Sequence, residues 1–240
     1  MIGKEIRLKR LMPTEDGKYF GLTVDHAMGR GVMKGLDTID DTIAKMVAGG
    51  PNAITMHKGI AEHCFAPYAG KTCLVLKLTT FGVYHYESDV QVASVKKPLP
   101  WVPMPCRWAA SWAVTIRSSR SPCWAASARK LTATGCPSSA ISIPAATYHR
   151  GRPAQRGERD VRCRTAAELG VDLVKTTYTG DSESFARVVQ AAPTRVAIAG
   201  GNGCKTAQDF IQMTRDVMDA GAAGVTYGRF VFQYPHVTPL

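Results

Sequence analysis

A lysine set among apolar strand residues, Leu173-Val174-Lys175-Thr176-Thr177, is the side chain best suited to act as a nucleophile. Burial strips water from an ammonium, lowers its pKa and frees a neutral amine for attack on a carbonyl. Asp25, near the end of the apolar run Tyr19–His26, is the matching carboxylate. Within reach of the lysine it would orient the carbinolamine or exchange protons with it. A purely structural ion pair between Lys175 and Asp25 accounts for the same two residues equally well. Lys58 and Lys77 also stand at strand ends and compete for the role, each as a substrate clamp or an exposed strand terminus. His26 and His57 are candidate substrate contacts together with Lys58, although a lone strand-end histidine is more often a packing residue than a base.

Two glycine turns add a second kind of chemistry. Ala199-Gly200-Gly201 and Tyr227-Gly228-Arg229 each close a strand. Bare amides at Gly200, Gly201 and Gly228, with the Arg229 guanidinium, predict a phosphate cradle at the last two strands of a barrel.

The elements that must position these groups alternate. Tyr19–His26, Ala53–Gly59 and Thr72–Thr80 read as strands, with a helix over Leu36–Gly49 marked by Ile39, Ile43, Met46 and Val47. Thr165–Gly170 reads as the end of a helix. Val171–Tyr178 is a strand, Ser182–Ala192 a helix, Arg195–Gly201 a strand, Thr206–Gly221 a long amphipathic helix and Gly224–Phe230 a last strand. Strands alternating with helices imply a parallel sheet. A (β/α)₈ TIM barrel spanning residues 1–240 as a single domain is the leading expectation, with an open doubly wound sheet second. In the strand Val171–Tyr178, Leu173, Lys175 and Thr177 share one face, and in the first strand Thr23 and Asp25 do. Parity thus points Lys175 and Asp25 at one barrel mouth. The chain stops soon after the last strand, so the closing helix is expected to be missing.

Composition divides the chain. The net charge is +11, and residues 91–164 supply all of the excess, with 13 Lys/Arg against 2 Asp/Glu. That stretch also holds all four tryptophans, four of the seven cysteines and eight of the fourteen prolines. Its cysteines, Cys106, Cys123, Cys136 and Cys163, fall at no Cys-x₂₋₄-Cys spacing, so neither a metal nor any other cofactor is expected. Arginines and tryptophans together raise a nucleic-acid-binding insert as an alternative, but no recognised nucleic-acid motif is present and no nucleic-acid partner is expected. No apolar run is long enough to span a bilayer, no signal peptide opens the chain, and the cysteine usage fits a reducing compartment. A cytoplasmic protein without a membrane partner is the expectation.

The residues carry a family likeness. Gly3–Leu8, Val24-Asp25-His26, His57-Lys58-Gly59-Ile60, Asp172–Gly180, Ala197–Gly201 and Gly224–Arg229 resemble the class I aldolases of the archaeal fructose-bisphosphate type, within the DeoC/LacD superfamily. The likeness covers residues 1–95 and 165–234. It implies a metal-free barrel whose Schiff-base lysine is Lys175 and whose catalytic aspartate is Asp25. Gly200, Gly201, Gly228 and Arg229 match its phosphate site. The reaction implied is reversible aldol cleavage of a phosphorylated ketose such as fructose 1,6-bisphosphate, a step of carbohydrate metabolism and glycolysis, in an enzyme expected to be a homo-oligomer. Cousins in the superfamily include an aminodideoxyheptulosonate synthase and a thiolase acting on a phosphorylated signalling molecule.

The likeness breaks in the basic stretch. The family's tyrosine proton donor, in a Tyr-Pro-Arg-Gly motif after strand five, is absent, and Tyr148 is not in that context. Codon degeneracy accounts for the break: read one base earlier, Lys96–Trp108 permits a helix end and a fourth strand, and Pro137–Thr147 permits the missing motif. A further slip near Tyr148 restores acidic residues, and the original frame resumes at about Arg164-Thr165. Residues 96–164 are therefore expected to be an off-frame segment. The barrel is expected to be incomplete or distorted around strands four and five, and the enzyme impaired.

Overall fold

In a computed structural model of the chain, residues 2–80, 83–84, 90–93, 113–117, 138–141, 156–201 and 203–234 are described. Eight parallel strands close into a barrel: β1 (Tyr19–Thr23), β2 (Ala53–His57), β3 (Cys73–Lys77), β4 (Ala113–Arg117), β5 (Ser138–Ile141), β6 (Leu173–Thr177), β7 (Arg195–Ala199) and β8 (Gly224–Tyr227), which pairs back onto β1. The helices are α1 (Ile2–Leu11), α2 (Ala27–Arg30), α3 (Ile39–Ala48), α4 (Lys58–Cys64), α5 (Arg156–Glu168), α6 (Ser182–Ala191), α7 (Ala207–Asp219) and α8 (Arg229–Phe232). A short antiparallel hairpin, Thr79–Thr80 with Val90–Gln91, follows β3.

The ring closes through the basic stretch. Val75, Leu76 and Lys77 of β3 face Ala113, Val114 and Thr115 of β4, and β5 carries the ladder on to Leu173, Val174 and Lys175 of β6. These strands use the segments that can pair. Ala113–Arg117 is free of proline and has three β-branched residues in succession, and Ser138–Ile141 lies between Pro137 and Pro144. The fourth strand thus starts after Lys96–Trp108, the segment expected to hold it, which lies outside the described residues. Among the described residues, α5 lies between β5 and β6, and the single turn of α8 follows β8. Helix α5 begins well before the expected helix end at Thr165–Gly170, and its Cys163, inside the basic stretch, is fully buried.

Strand parity fixes the two sides of the barrel wall. Leu22, Ile54, Leu76, Val174, Val196 and Ile198 point outward into one core shared with α3, α6 and α7, whose Ile43, Phe185 and Val217 are fully buried. Tyr19, Ala53, Val75, Leu173 and Ala197 point inward and meet Leu11 and Met12 at the end of α1. Helix α1, which no periodicity announced, therefore plugs the N-terminal end of the barrel and leaves only the opposite mouth open to chemistry. Helix α7 starts on a capping box, with Thr206 and Asp209 satisfying each other's backbone amides, which fixes where the loop carrying Gly200 and Gly201 turns outward.

Gly200 is required by packing. A Cβ there would lie 1.9 Å from Cδ1 of Tyr227, whose ring is held by Phe210 and by a 2.6 Å hydrogen bond between its hydroxyl and Thr214. Gly200→Ala is expected to lower stability by roughly 1–3 kcal/mol, as overpacking of a filled site does. A thermal melt of the variant measures it, and an unchanged midpoint would mean that Tyr227 packs elsewhere.

Candidate active site

At the open mouth, alternation along each strand brings its last inward residue to the same level. β1 contributes Thr23 and, just beyond it, Asp25; β2 contributes His57, β3 Lys77 and β6 Lys175. Lys77 donates to Oδ2 of Asp25 at 2.6 Å, and the Thr23 hydroxyl donates to Oδ1. Both charged side chains are enclosed, Lys77 being 8% and Asp25 9% exposed. The Nδ1 of His26 lies 3.8 Å from Oδ1 of Asp25, too far for a hydrogen bond. Lys175 is half-buried and makes no hydrogen bond or ion pair among the described residues.

The ion pair across the mouth is therefore Lys77–Asp25, and the pairing of Lys175 with Asp25 that the sequence left open does not form. Lys77 was legible only as one of several strand-end lysines, because its partner sits two strands away around a ring whose register the sequence does not state.

Electrostatics separates the two lysines further. Burial lowers the Lys175 amine to about 8; Asp25 opposes that shift and the Lys77 ammonium adds to it. At pH 7 a lysine at about 8 is roughly 10% neutral, whereas an ordinary lysine near 10.5 is about 0.03% neutral. Burial would raise the Asp25 carboxyl, but the charges of Lys77, His26 and Lys175 and the hydrogen bond from Lys77 outweigh it and hold the group well below the usual carboxylate range. Asp25 is thus an anion at every working pH and a poor proton donor. Burial pushes His26 down to about 4 and lowers His57, so both imidazoles are neutral. Neither ring nitrogen of His57 has a hydrogen-bond partner among the described residues, although the ring is 8% exposed.

Other expected contacts divide. Lys58 starts α4, is 50% exposed and pairs with Glu62 at 3.5 Å. His57, its neighbour, ends β2 on the inward face. At the phosphate cradle, the Gly200 amide already donates to the carbonyl of Thr226 at 3.1 Å and cannot serve as a donor to an anion. Gly201, at φ +84°, and Gly228 make no such bond from their amides among the described residues. Gly228 touches His26, with space for no Cβ (2.5 Å to Cε1 of the ring), and so ties the cradle to Asp25 and His26. Arg229, exposed, begins α8 directly after it.

Comparison with known proteins bears on the family and the fold. A profile described as DeoC/LacD family aldolase matches residues 161–234. The 2-amino-3,7-dideoxy-D-threo-hept-6-ulosonate synthase of Halobacterium salinarum is 32% identical over 245 residues, covering 99% of this chain and 87% of the synthase. Among solved structures, an archaeal fructose 1,6-bisphosphate aldolase superposes with a TM-score of 0.78 at 25% identity, covering 98% of this chain and 94% of that one. Another archaeal fructose-1,6-bisphosphate aldolase, solved with its catalytic lysine covalently bound to the carbinolamine intermediate of the substrate, gives 0.77 at 26% identity over 97% and 93%.

Proposed function

Since the chain belongs to the DeoC/LacD family of aldolases, we propose that it makes and breaks a carbon–carbon bond of a phosphorylated ketose through an iminium on Lys175. The observation that carries this reading is the Lys175 amine, without a hydrogen bond or ion pair among the described residues, at the same mouth as an anion already claimed by another lysine.

The amine attacks the ketone carbon, and the carbinolamine loses water to give an iminium. In cleavage, a water molecule at the open mouth takes the proton of the C4 hydroxyl, the C3–C4 electron pair moves into the iminium as an enamine, an aldehyde departs, and the hydronium returns its proton to C3. Addition of water then releases dihydroxyacetone phosphate and the amine. Asp25, a fixed carboxylate, is the counter-ion of the iminium. The amides of Gly201 and Gly228 with Arg229 hold the phosphate, and neutral His26 and His57 offer ring nitrogens to substrate hydroxyls. A second reading follows from the synthase relative: the same iminium hands its enamine to a different carbonyl acceptor. Triose phosphate released from fructose 1,6-bisphosphate alone supports the aldolase; release only when a second carbonyl acceptor is supplied favours the synthase.

The basic stretch belongs to the same reading. With residues 96–164 off-frame, the proton donor after the fifth strand is lost, which lowers the rate by roughly 10²–10⁴. A chain with the frame repaired is expected to recover that factor, and a coding sequence confirmed base by base, with the stretch packed as written, would refute the off-frame origin.

A pH dependence follows from the lysine. Only the neutral amine attacks, so iminium formation rises as pH climbs through about 8 and levels off above it. At pH 6 it should run about 100-fold below the plateau. Asp25, ionised throughout, adds no acid limb near neutrality. Initial rates of iminium formation between pH 6 and 10 measure this, and a midpoint near 10.5 would remove the basis for a desolvated amine.

A further inference from the structure

The stretch in which the family likeness breaks touches the strand of the nucleophile. Helix α5 ends at Glu168 and β6 begins at Leu173, so the helix runs back along the strand and its first turn lies level with the strand's end. From that turn Nε of Arg159 donates to Oγ1 of Thr177 at 3.3 Å, and the pair is part-buried. Thr177 is the last residue of β6 and shares its inward face with Lys175, about 7 Å further along the strand. We propose that Arg159 is a substrate-binding residue: its guanidinium takes the phosphate on the aldehyde half of a ketose bisphosphate whose ketone carbon is held on Lys175. The inference rests on Lys175 being the iminium-forming residue and adds the group that holds the other end of the substrate.

Position and chemistry both favour this role. The glycine turns follow β7 and β8, whereas α5 belongs to the crossover from β5 to β6, so the two approach Lys175 from opposite flanks. A ketose held by its second carbon on Lys175, with its first phosphate in the glycine cradle, sends the rest of its chain toward the α5 flank. A guanidinium carries five donors in a rigid fork, and the bond to Thr177 uses one of them, which sets the plane of the fork at the strand end. Paired phosphate oxygens match such a fork. Of the other cations near the mouth, Lys77 is committed to Asp25 and Arg229 stands beside the cradle. Arg159 lies inside residues 91–164, where the family likeness does not reach, so the contact belongs to this chain as written. A bond that only fastened α5 to β6 would be indifferent to what the substrate carries at its far end.

Phenylglyoxal modification of the full chain, read peptide by peptide, tests this without a variant. Fructose 1-phosphate, which lacks the far phosphate, should protect Arg229 and leave Arg159 reactive; fructose 1,6-bisphosphate should protect both. Equal labelling of Arg159 with and without the bisphosphate, or equal protection by the two sugars, would overturn the assignment. In R159M the calorimetric dissociation constant for the bisphosphate should rise about tenfold or more, the loss expected for a charge-assisted hydrogen bond, and its advantage over fructose 1-phosphate should disappear. R159K should keep part of that advantage. T177V, which retains the arginine and removes its anchor, should weaken bisphosphate binding in the same direction and carries the test if R159M does not fold. An unchanged ratio of the two constants in whichever variant folds reduces the contact to a structural one and refutes the proposal. The aldol reading fails separately: no borohydride-trapped adduct on Lys175, with Arg159 still protected by the bisphosphate, removes the iminium and leaves the anion site standing.

Discussion

Lys175→Met is expected to abolish aldol cleavage while making the protein more stable. The rate should fall by about 10⁴-fold or more, because removal of a covalent nucleophile takes away the whole pathway that depends on it. Stability moves the other way. The folded protein holds this amine at about 8 against 10.5 for an ordinary lysine, so protonation favours the unfolded chain. That penalty is full below pH 8, shrinks between 8 and 10.5 and vanishes above. An apolar side chain of similar length removes it, a gain of roughly 2–3 kcal/mol near neutrality. Paired measurements of activity and urea midpoint at pH 7 and pH 10 check both halves, and the stabilisation should be visible at the lower pH and fade at the higher. A lysine exposed on the outer surface would give neither effect.

Asp25→Ala carries the second large effect, with both quantities moving in the same direction. It leaves the Lys77 ammonium, 8% exposed, without its anion. Breaking a buried pair by removing one partner costs about 3–5 kcal/mol. The iminium would lose its counter-ion as well, for a further rate loss of about 10²–10³. Because the carboxyl is held below its usual range, its contribution is complete above an ordinary carboxyl pKa near 4 and disappears only as pH falls through the lower folded value. The titration of Asp25 itself should therefore add no pH dependence to the stability difference between the unaltered protein and Asp25→Ala from pH 6 to 8. Asp25→Asn, which still accepts from Lys77, should lose less stability than the alanine variant but a similar share of rate. Chemical denaturation and initial rates measured on the same preparations decide it.

Much of the barrel was legible because its outer flanks obey period rules. The strands predicted over Tyr19–His26, Ala53–Gly59 and Val171–Tyr178 contain β1, β2 and β6, each with the end trimmed where the side chain turns into the mouth. Parity in Leu173, Lys175 and Thr177 gave the inward face, since alternation is a property of a single strand. What escaped depends on distant partners. Helix α1 is basic along its sequence, and its structural value lies in Leu8, Leu11 and Met12 meeting the barrel floor, which only the closed ring creates. Gly200 looked like a phosphate turn but is fixed by the Tyr227 ring from the next strand. Lys58 looked like Lys77, but it is the first residue of α4, half exposed and paired with Glu62, whereas Lys77 ends a strand and is buried. In the basic stretch, composition concealed β4 and β5, whose short β-branched or proline-free runs pair only because neighbours on both sides offer an edge. Among the described residues no helix is long and apolar enough to cross a membrane.

Mixing the protein with dihydroxyacetone phosphate, quenching with borohydride and locating the added mass by peptide sequencing tests the central claim most directly. The account predicts a reduced secondary amine on the peptide containing Lys175, absent from Lys175→Met and growing with pH through about 8. A label on Lys77, or none on a chain whose reading frame has been restored, would contradict it.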